Sequence, residues 1–341
     1  MEDIRTSTGT MLGMIRGAPL GRMVSVVAEL GIADLVAGGP RTAEELADAT
    51  GMHAPSLYRL LRALASVGVF AEIDGRRFGL TPLADRLRAD APGSLRDWAI
   101  MQNEDWYWRL FQDLPYSVRT GRPATEHLWG KSLFEYLVEH PDAGARFDTG
   151  MASRHAENNA AFIAGYDFSG IKTIVDVGGG NGSLLATLLA AHPSLRGILF
   201  DLPAVVTGAT KRLGDSGVAD RCTVIGGSFF DAVPAGGDAY IVSNVLHDWQ
   251  DDQATAILRN VRAALDGRGR LLVVNEQIIP SGDEPHPGKL GDIMMLLIGG
   301  RERTEAEWRS LFEASGFTLS RVVPLSSFTG AGVIEGIPSG G

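Results

Sequence analysis

A mainly helical winged-helix module followed by a doubly wound, Rossmann-like α/β sheet is the fold class that this 341-residue sequence predicts. Three observations carry the prediction. Helical apolar spacing dominates before residue 170. Short β-rich runs alternate with helical segments after it. A glycine-rich turn, Gly178-Gly179-Gly180-Asn181-Gly182, follows the first of those runs. The length suits two domains, and the expected division is residues 1–95, connecting helices over 96–165, and residues 166–341.

The first part opens on an apolar helix, from about Leu20 to Leu35, interrupted by Gly31 and ended by Gly38-Gly39-Pro40. Met23, Val24, Val26, Val27 and Leu30 give that helix an apolar face, expected to be exposed and open to a second copy of the chain. Thr42 and Glu45 fit a capping box, the threonine capping and the glutamate reaching back. Leu57, Leu60, Leu61, Leu64 and Val67 repeat at helical spacing, and VFAEIDGRRFGLT reads as a hairpin around Asp74-Gly75.

This winged helix-turn-helix order leaves two readings open, DNA binding or packing and dimerisation. A recognition helix needs polar or basic residues early, where it meets base edges. Here the early residues are His53, Ala54, Pro55 and Ser56; Arg59, Arg62, Arg76 and Arg77 supply the nearby positive charge. A net charge of −10 weighs against nucleic acid and anionic membranes as partners, and the packing reading is preferred. Further along, Trp106, Tyr107, Trp108, Phe111 and Tyr116 crowd one helical stretch and suit either a ligand cavity or a core.

From residue 171 the strands read IKTIVDV, RGILFDLP, CTVIGGSFF, DAYIVSNVL and GRLLVVNEQIIP, with helices between them and two further strands near 318–325 and 331–336. In such a sheet, ligands bind at the carboxyl ends of the strands, at the topological switch point. Cys222 is the only cysteine, which excludes an intrachain disulfide and a cysteine-based zinc cluster. No run approaches the ~18 apolar residues of a membrane span, and the first residues lack a signal-like apolar core, so a cytoplasmic protein is expected.

The glycine turn lacks the third glycine of a G-x-G-x-x-G dinucleotide loop, since Ser183 or Leu185 stands there, and it lacks the lysine of a P-loop. What remains is an adenosyl ligand without phosphates, S-adenosylmethionine. It needs close backbone approach and an acid for the ribose hydroxyls at the end of the second strand, where Asp201 stands. Asp176 can fix the turn or face the ligand's ammonium group.

DVGGGNG, FDLP, GGSFF, SNVLHDW and GGRERT, in this order and spacing, resemble the S-adenosylmethionine-dependent small-molecule O-methyltransferases, both the plant caffeate and flavonoid types and the bacterial enzymes of aromatic polyketide and antibiotic tailoring. The resemblance covers nearly the whole chain. It implies a seven-stranded sheet with an antiparallel last strand, an N-terminal winged-helix domain that makes a homodimer, and S-adenosylhomocysteine as product. It places Gly178 and Gly180 along the methionine part of the cofactor, Asp201 at the ribose, and Leu202, Ser228 and Phe229 at the adenine. Ser228 departs from the aspartate that many members have. Ser243 and Met151 would lie near the sulfonium end.

His247, between a strand and a helix, has the chemistry of a general base for a phenol: a neutral imidazole near pKa ~6.5 accepts a proton from a group near ~10. A carboxylate on the other ring nitrogen would fix its tautomer, and Glu276 and Glu302 are the candidates. Asp248 either touches the acceptor or caps the next helix, with capping preferred. Met295 matches the family's pocket methionine, and Trp98, Met101 and Trp106 are further acceptor-pocket candidates. The reading is metal-independent methyl transfer to the phenolic hydroxyl of an aromatic natural product. The alternatives are a related enzyme that uses the same site for hydroxylation or decarboxylation, and a winged-helix regulator.

Overall fold

The computed structural model describes residues 4–265, 267, 269–325 and 330–340, with the backbone alone at 4, 5, 275 and 276. The chain forms two compact units: Met1–Arg109 with Asp142–Arg154, and Leu110–Pro141 with His155–Gly341.

In the first unit, helices Gly17–Glu29 and Ile32–Val36 meet at Gly31, whose φ of 63° turns the chain between them. Thr42 caps helix Ala43–Thr50 and Glu45 completes the box, as its sequence predicts. Helix Ala54–Ala65 follows. Strands β1 (Arg41–Thr42), β2 (Phe70–Ile73) and β3 (Arg77–Leu80) make a small antiparallel sheet in the order β1-β3-β2. Ile73 pairs with Arg77 across the Asp74-Gly75-Arg76 turn. Val27, Ile32, Leu46, Leu61, Phe70 and Phe78 form the core.

One expectation changes here. The apolar face of helix Gly17–Glu29 is not exposed: Val27 is buried, and Met23, Val24 and Leu30 pack against the same core. The short helices around it have too little apolar surface to close a core without that face. Four exposed large apolar side chains cluster one helix earlier, Met11, Leu12, Met14 and Ile15 on Ile4–Ile15. The wing arginine Arg76 lies 3.9 Å from the centroid of the Tyr58 ring and pairs with Glu44.

The second unit is built on seven strands: β4 (Thr173–Val177), β5 (Arg196–Asp201), β6 (Cys222–Gly226), β7 (Ala239–Ser243), β8 (Arg270–Gln277), β9 (Phe317–Pro324) and β10 (Ala331–Pro338). Their order is β6-β5-β4-β7-β8-β10-β9. β4 to β8 run parallel, and β10 lies antiparallel between β8 and β9. β4 and β7 are buried almost throughout, as a sheet covered on both faces requires. Helix Ser183–Ala191 packs its leucines into the core on one face, and Asp251–Ala264 with Glu305–Ala314 cover the other. The chain winds outward from β4 through β5 to β6 and restarts at β7, so the switch point lies between β4 and β7.

Asp176, near the end of β4, is 1% exposed, and neither of its carboxyl oxygens has a hydrogen-bond partner. Burial, with the charge of Asp201 adding to it, pushes its pKa up to about 7. The folded chain therefore keeps a proton that the unfolded chain releases near pH ~4. Stability contributed here falls as pH rises from about 4 to about 7. Asp176→Asn, close in shape to the protonated acid, should unfold like wild type at pH 4 and be more stable by about 2–4 kcal/mol at pH 8. Urea titrations across that range check it, and parallel pH curves for the two proteins would contradict it.

Candidate active site

The glycine turn leaves β4 with Gly178 donating to the Phe200 carbonyl at 2.8 Å. A side chain at Gly179 would put its Cβ 2.4 Å from Leu199 Cδ1 and 2.7 Å from Asp176 Oδ2, so only glycine closes the turn onto β5. Gly180 is different: its φ is 57° and a Cβ there would meet nothing within 4 Å. This bare, left-handed backbone is a surface on which a flat ligand can lie. Asp201 ends β5 and accepts from Gly180 N at 2.8 Å and from Leu202 N at 2.6 Å. Burial raises its pKa, against those two backbone donors. Phe229 reaches the same turn, with Cε1 3.6 Å from the position a Cβ on Gly178 would take. The Ser228 Oγ accepts from Phe230 N. Leu202 is exposed beside Asp201, and Ser243 ends β7.

His247 lies in a single 3-10 turn, Leu246–Asp248, just after β7. It is 8% exposed, and its Nδ1 is 3.1 Å from Glu302 Oε1. Glu302 is buried as well, and its Oε2 has no partner. A carboxylate only accepts, so the ring proton belongs on Nδ1 and Nε2 carries the lone pair. Nε2 stands 3.6 Å from Asp248 Oδ1, beyond hydrogen-bond distance. Burial, opposed by His247 and reinforced by Glu302, pushes the Asp248 carboxyl up to about 6.

The capping reading of Asp248 is corrected. The N-cap of helix Asp251–Ala264 is Gln250, with no side-chain cap, because the 3-10 turn ends before the helix begins. Gln250 instead donates to the Gly299 carbonyl at 2.8 Å. The backbone of Glu276 ends β8, and its side chain lies outside the described residues.

Segment 299–304 is fastened to the histidine turn at several points. Arg301 N donates to the His247 carbonyl at 2.7 Å, and a Cβ on Gly300 would stand 2.0 Å from that same oxygen. Glu302 N donates to Asp292 on helix Pro287–Ile298. Arg303, fully buried, donates to the carbonyls of Leu246 and Trp249, each at 2.8 Å, and to Asp251, with Trp308 beside its guanidinium. Met295 is half-buried on the same helix as Asp292.

The remaining candidates belong to the first unit. Trp98 and Met101 lie on helix Arg96–Met101, and Met151 on the long helix Pro141–Gly165. Met101 is buried against Gly150. Trp106 is buried too, edge-on to Tyr107, and its indole nitrogen has no partner. Sequence reasoning passed over Arg303, Trp249 and Asn244. Asn244 holds a φ of 53°, rare outside glycine, just before the histidine turn. Trp249 stacks its edge against Phe230 at 4.8 Å. Its place in HDW was a signal available in the sequence.

Comparison with known proteins identifies the family. Residues 111–318 match the O-methyltransferase domain model and residues 14–90 the O-methyltransferase dimerisation domain model. The chain is similar to phenazine O-methyltransferase PhzM of Lysobacter antibioticus, 47% identical over 329 residues, covering 96% of this chain and 95% of that one. It is similar to the crystal structure of LaPhzM, with a TM-score of 0.90 at 46% identity over 97% and 99% of the two chains. It also matches NcsB1, an O-methyltransferase from neocarzinostatin biosynthesis solved with S-adenosylmethionine and 2-hydroxy-5-methyl naphthoic acid, with a TM-score of 0.76 at 38% identity over 93% and 95%. Among the described residues no helix is long and apolar enough to cross a membrane. The chain belongs to the S-adenosylmethionine-dependent small-molecule O-methyltransferases, and its dimerisation domain supports a homodimer.

Proposed function

We propose that this enzyme methylates a phenolic hydroxyl of an aromatic natural product of the polyketide or antibiotic type, without a metal ion. The observation that carries the reading is the buried His247–Glu302 pair at 3.1 Å, held at the carboxyl edge of the sheet close to the switch point. The substrates named for the relatives above, a phenazine and a naphthoic acid, support the aromatic class.

The residues present fit the cofactor. Bare backbone at Gly178 and Gly180 takes its methionine part, the Asp201 carboxylate accepts from its ribose, and Leu202, Ser228 and Phe229 surround its adenine. Asp176 fixes the turn or faces the cofactor's ammonium group, and Ser243 and Met151 lie toward the sulfonium. When bound, S-adenosylmethionine supplies an electrophilic methyl carbon. His247 Nε2 takes the phenol proton while Nδ1–H donates to Glu302, which stabilises the imidazolium. Glu276 is a second carboxylate for that role. Asp248, Met295, Trp98, Met101 and Trp106 contact or orient the acceptor ring. The division into a dimerisation domain (1–95), pocket-forming helices (96–165) and a cofactor domain (166–341) belongs to this reading, as does a cytoplasmic setting.

His247→Ala should lower kcat by about 10²- to 10⁴-fold at pH 7 while affinity for S-adenosylhomocysteine stays near wild type. Its residual rate should rise with pH toward the phenol's own ionisation near ~10. Transfer of labelled methyl to a panel of phenols measures both. Full activity in the variant would remove the base assignment. Asp201→Asn loses one of two backbone-bonded acceptor oxygens and should weaken cofactor binding roughly 10-fold or more, read by calorimetry. Unchanged binding would take Asp201 out of the cofactor site.

A further inference from the structure

Asn260 sits inside helix Asp251–Ala264, where asparagine is a poorer helix former than alanine. It lies off the buried stripe of that helix, which is made by Ala254, Ile257, Leu258, Val261 and Ala264. Its carboxamide nitrogen reaches off the helix and donates to two consecutive carbonyls, of Phe229 at 2.8 Å and of Phe230 at 3.0 Å.

The segment it holds is a tight turn just after β6. The Ser228 carbonyl accepts from Asp231 N at 3.0 Å and from Ala232 N at 3.2 Å, and Ser228 Oγ accepts from Phe230 N at 3.2 Å. Gly227 N donates to the Asp201 carbonyl at 2.9 Å, which fastens the start of the turn to the end of β5. Asn260 fastens its middle to a helix packed on the sheet. Two rings project from the turn. Phe229 brings Cε1 to 3.6 Å from where a Cβ on Gly178 would stand, against the bare backbone of the glycine turn. Phe230 meets Trp249 edge-on, with ring centroids 4.8 Å apart. Rotating the two peptide planes that Asn260 holds would swing the Phe229 ring away from the glycine turn, so its two donated bonds decide where that ring lies.

We propose that Asn260 is a positioning residue for S-adenosylmethionine: by holding both carbonyls it presets the Phe229 ring against which the adenine packs. The proposal rests on the reading of Phe229 as an adenine contact. The histidine turn has its own fastenings, at Arg301 and Arg303, so Asn260 acts on cofactor affinity and not on the transfer step at saturating cofactor.

The test is calorimetry with S-adenosylhomocysteine on wild type, N260A, N260D, F229A and the N260A/F229A double variant, with the ligand-free melting temperature reporting the fold. N260A should weaken binding about 3- to 10-fold. N260D should weaken it at least as much at pH 8, because a carboxylate only accepts and would face two carbonyls. In steady-state methylation of a phenol, N260A should raise KM for S-adenosylmethionine and keep kcat within about 3-fold of wild type. In the F229A background N260A should add little, since its effect passes through that ring. Affinity unchanged in N260A, the same weakening with and without the Phe229 ring, or a fall in kcat in place of affinity overturns the proposal. F229A binding like wild type would remove the adenine reading of Phe229 and the proposal with it. F229A weakened while N260A binds normally would leave that reading standing and remove the proposal alone.

Discussion

A guanidinium without solvent contact joins the two halves of the histidine site. Arg303 donates to the backbone on both sides of His247, at Leu246 and Trp249, and to Asp251 at the start of the next helix. Its neighbour in sequence, Glu302, meets the imidazole. One residue therefore fixes the carbonyls that flank His247, and the adjacent residue meets its imidazole. Gly300 makes this possible, because any side chain there would collide with the His247 carbonyl. A buried arginine is stabilising only when its donors are satisfied, and here two carbonyls, a carboxylate and the Trp308 face do so.

The electrostatics on the cofactor side have a single sign. Burial raises the pKa of Asp176 and Asp201 around the glycine turn, so both carboxyl groups resist ionisation. S-adenosylmethionine, the family's cofactor, carries a sulfonium and an ammonium group of the opposite sign. The glycine turn adds bare backbone without an anion-binding lysine, which suits a ligand without phosphates.

Much of this was legible in the sequence. The alternation of strands and helices, the capping box at Thr42, the glycine turn and Asp201 at the next strand end all depend on local spacing, and local spacing survives folding. The partner of His247 was not legible from spacing alone. Glu302 lies 55 residues away and arrives through helix Pro287–Ile298 and a glycine pair, so it stood as the second candidate behind Glu276. Arg303 gave no signal, since charged residues are usually exposed. Asp248 looked like a helix cap because sequence cannot distinguish a 3-10 turn from the start of a helix. The apolar face of helix Gly17–Glu29 read as exposed because its partners in the core come from segments whose packing is not local.

The proposed role of Glu302 is to fix the tautomer of the neutral His247 ring, with the proton on Nδ1 and the lone pair on Nε2. Nitrogen-15 NMR of histidine-labelled protein, saturated with S-adenosylhomocysteine at pH 8, reads that state directly, with His247→Gln assigning the signal. The account predicts a protonated Nδ1 and an unprotonated Nε2 in wild type, with the tautomers redistributed in Glu302→Gln. A proton resident on Nε2 in wild type, or a tautomer indifferent to Glu302, would contradict it.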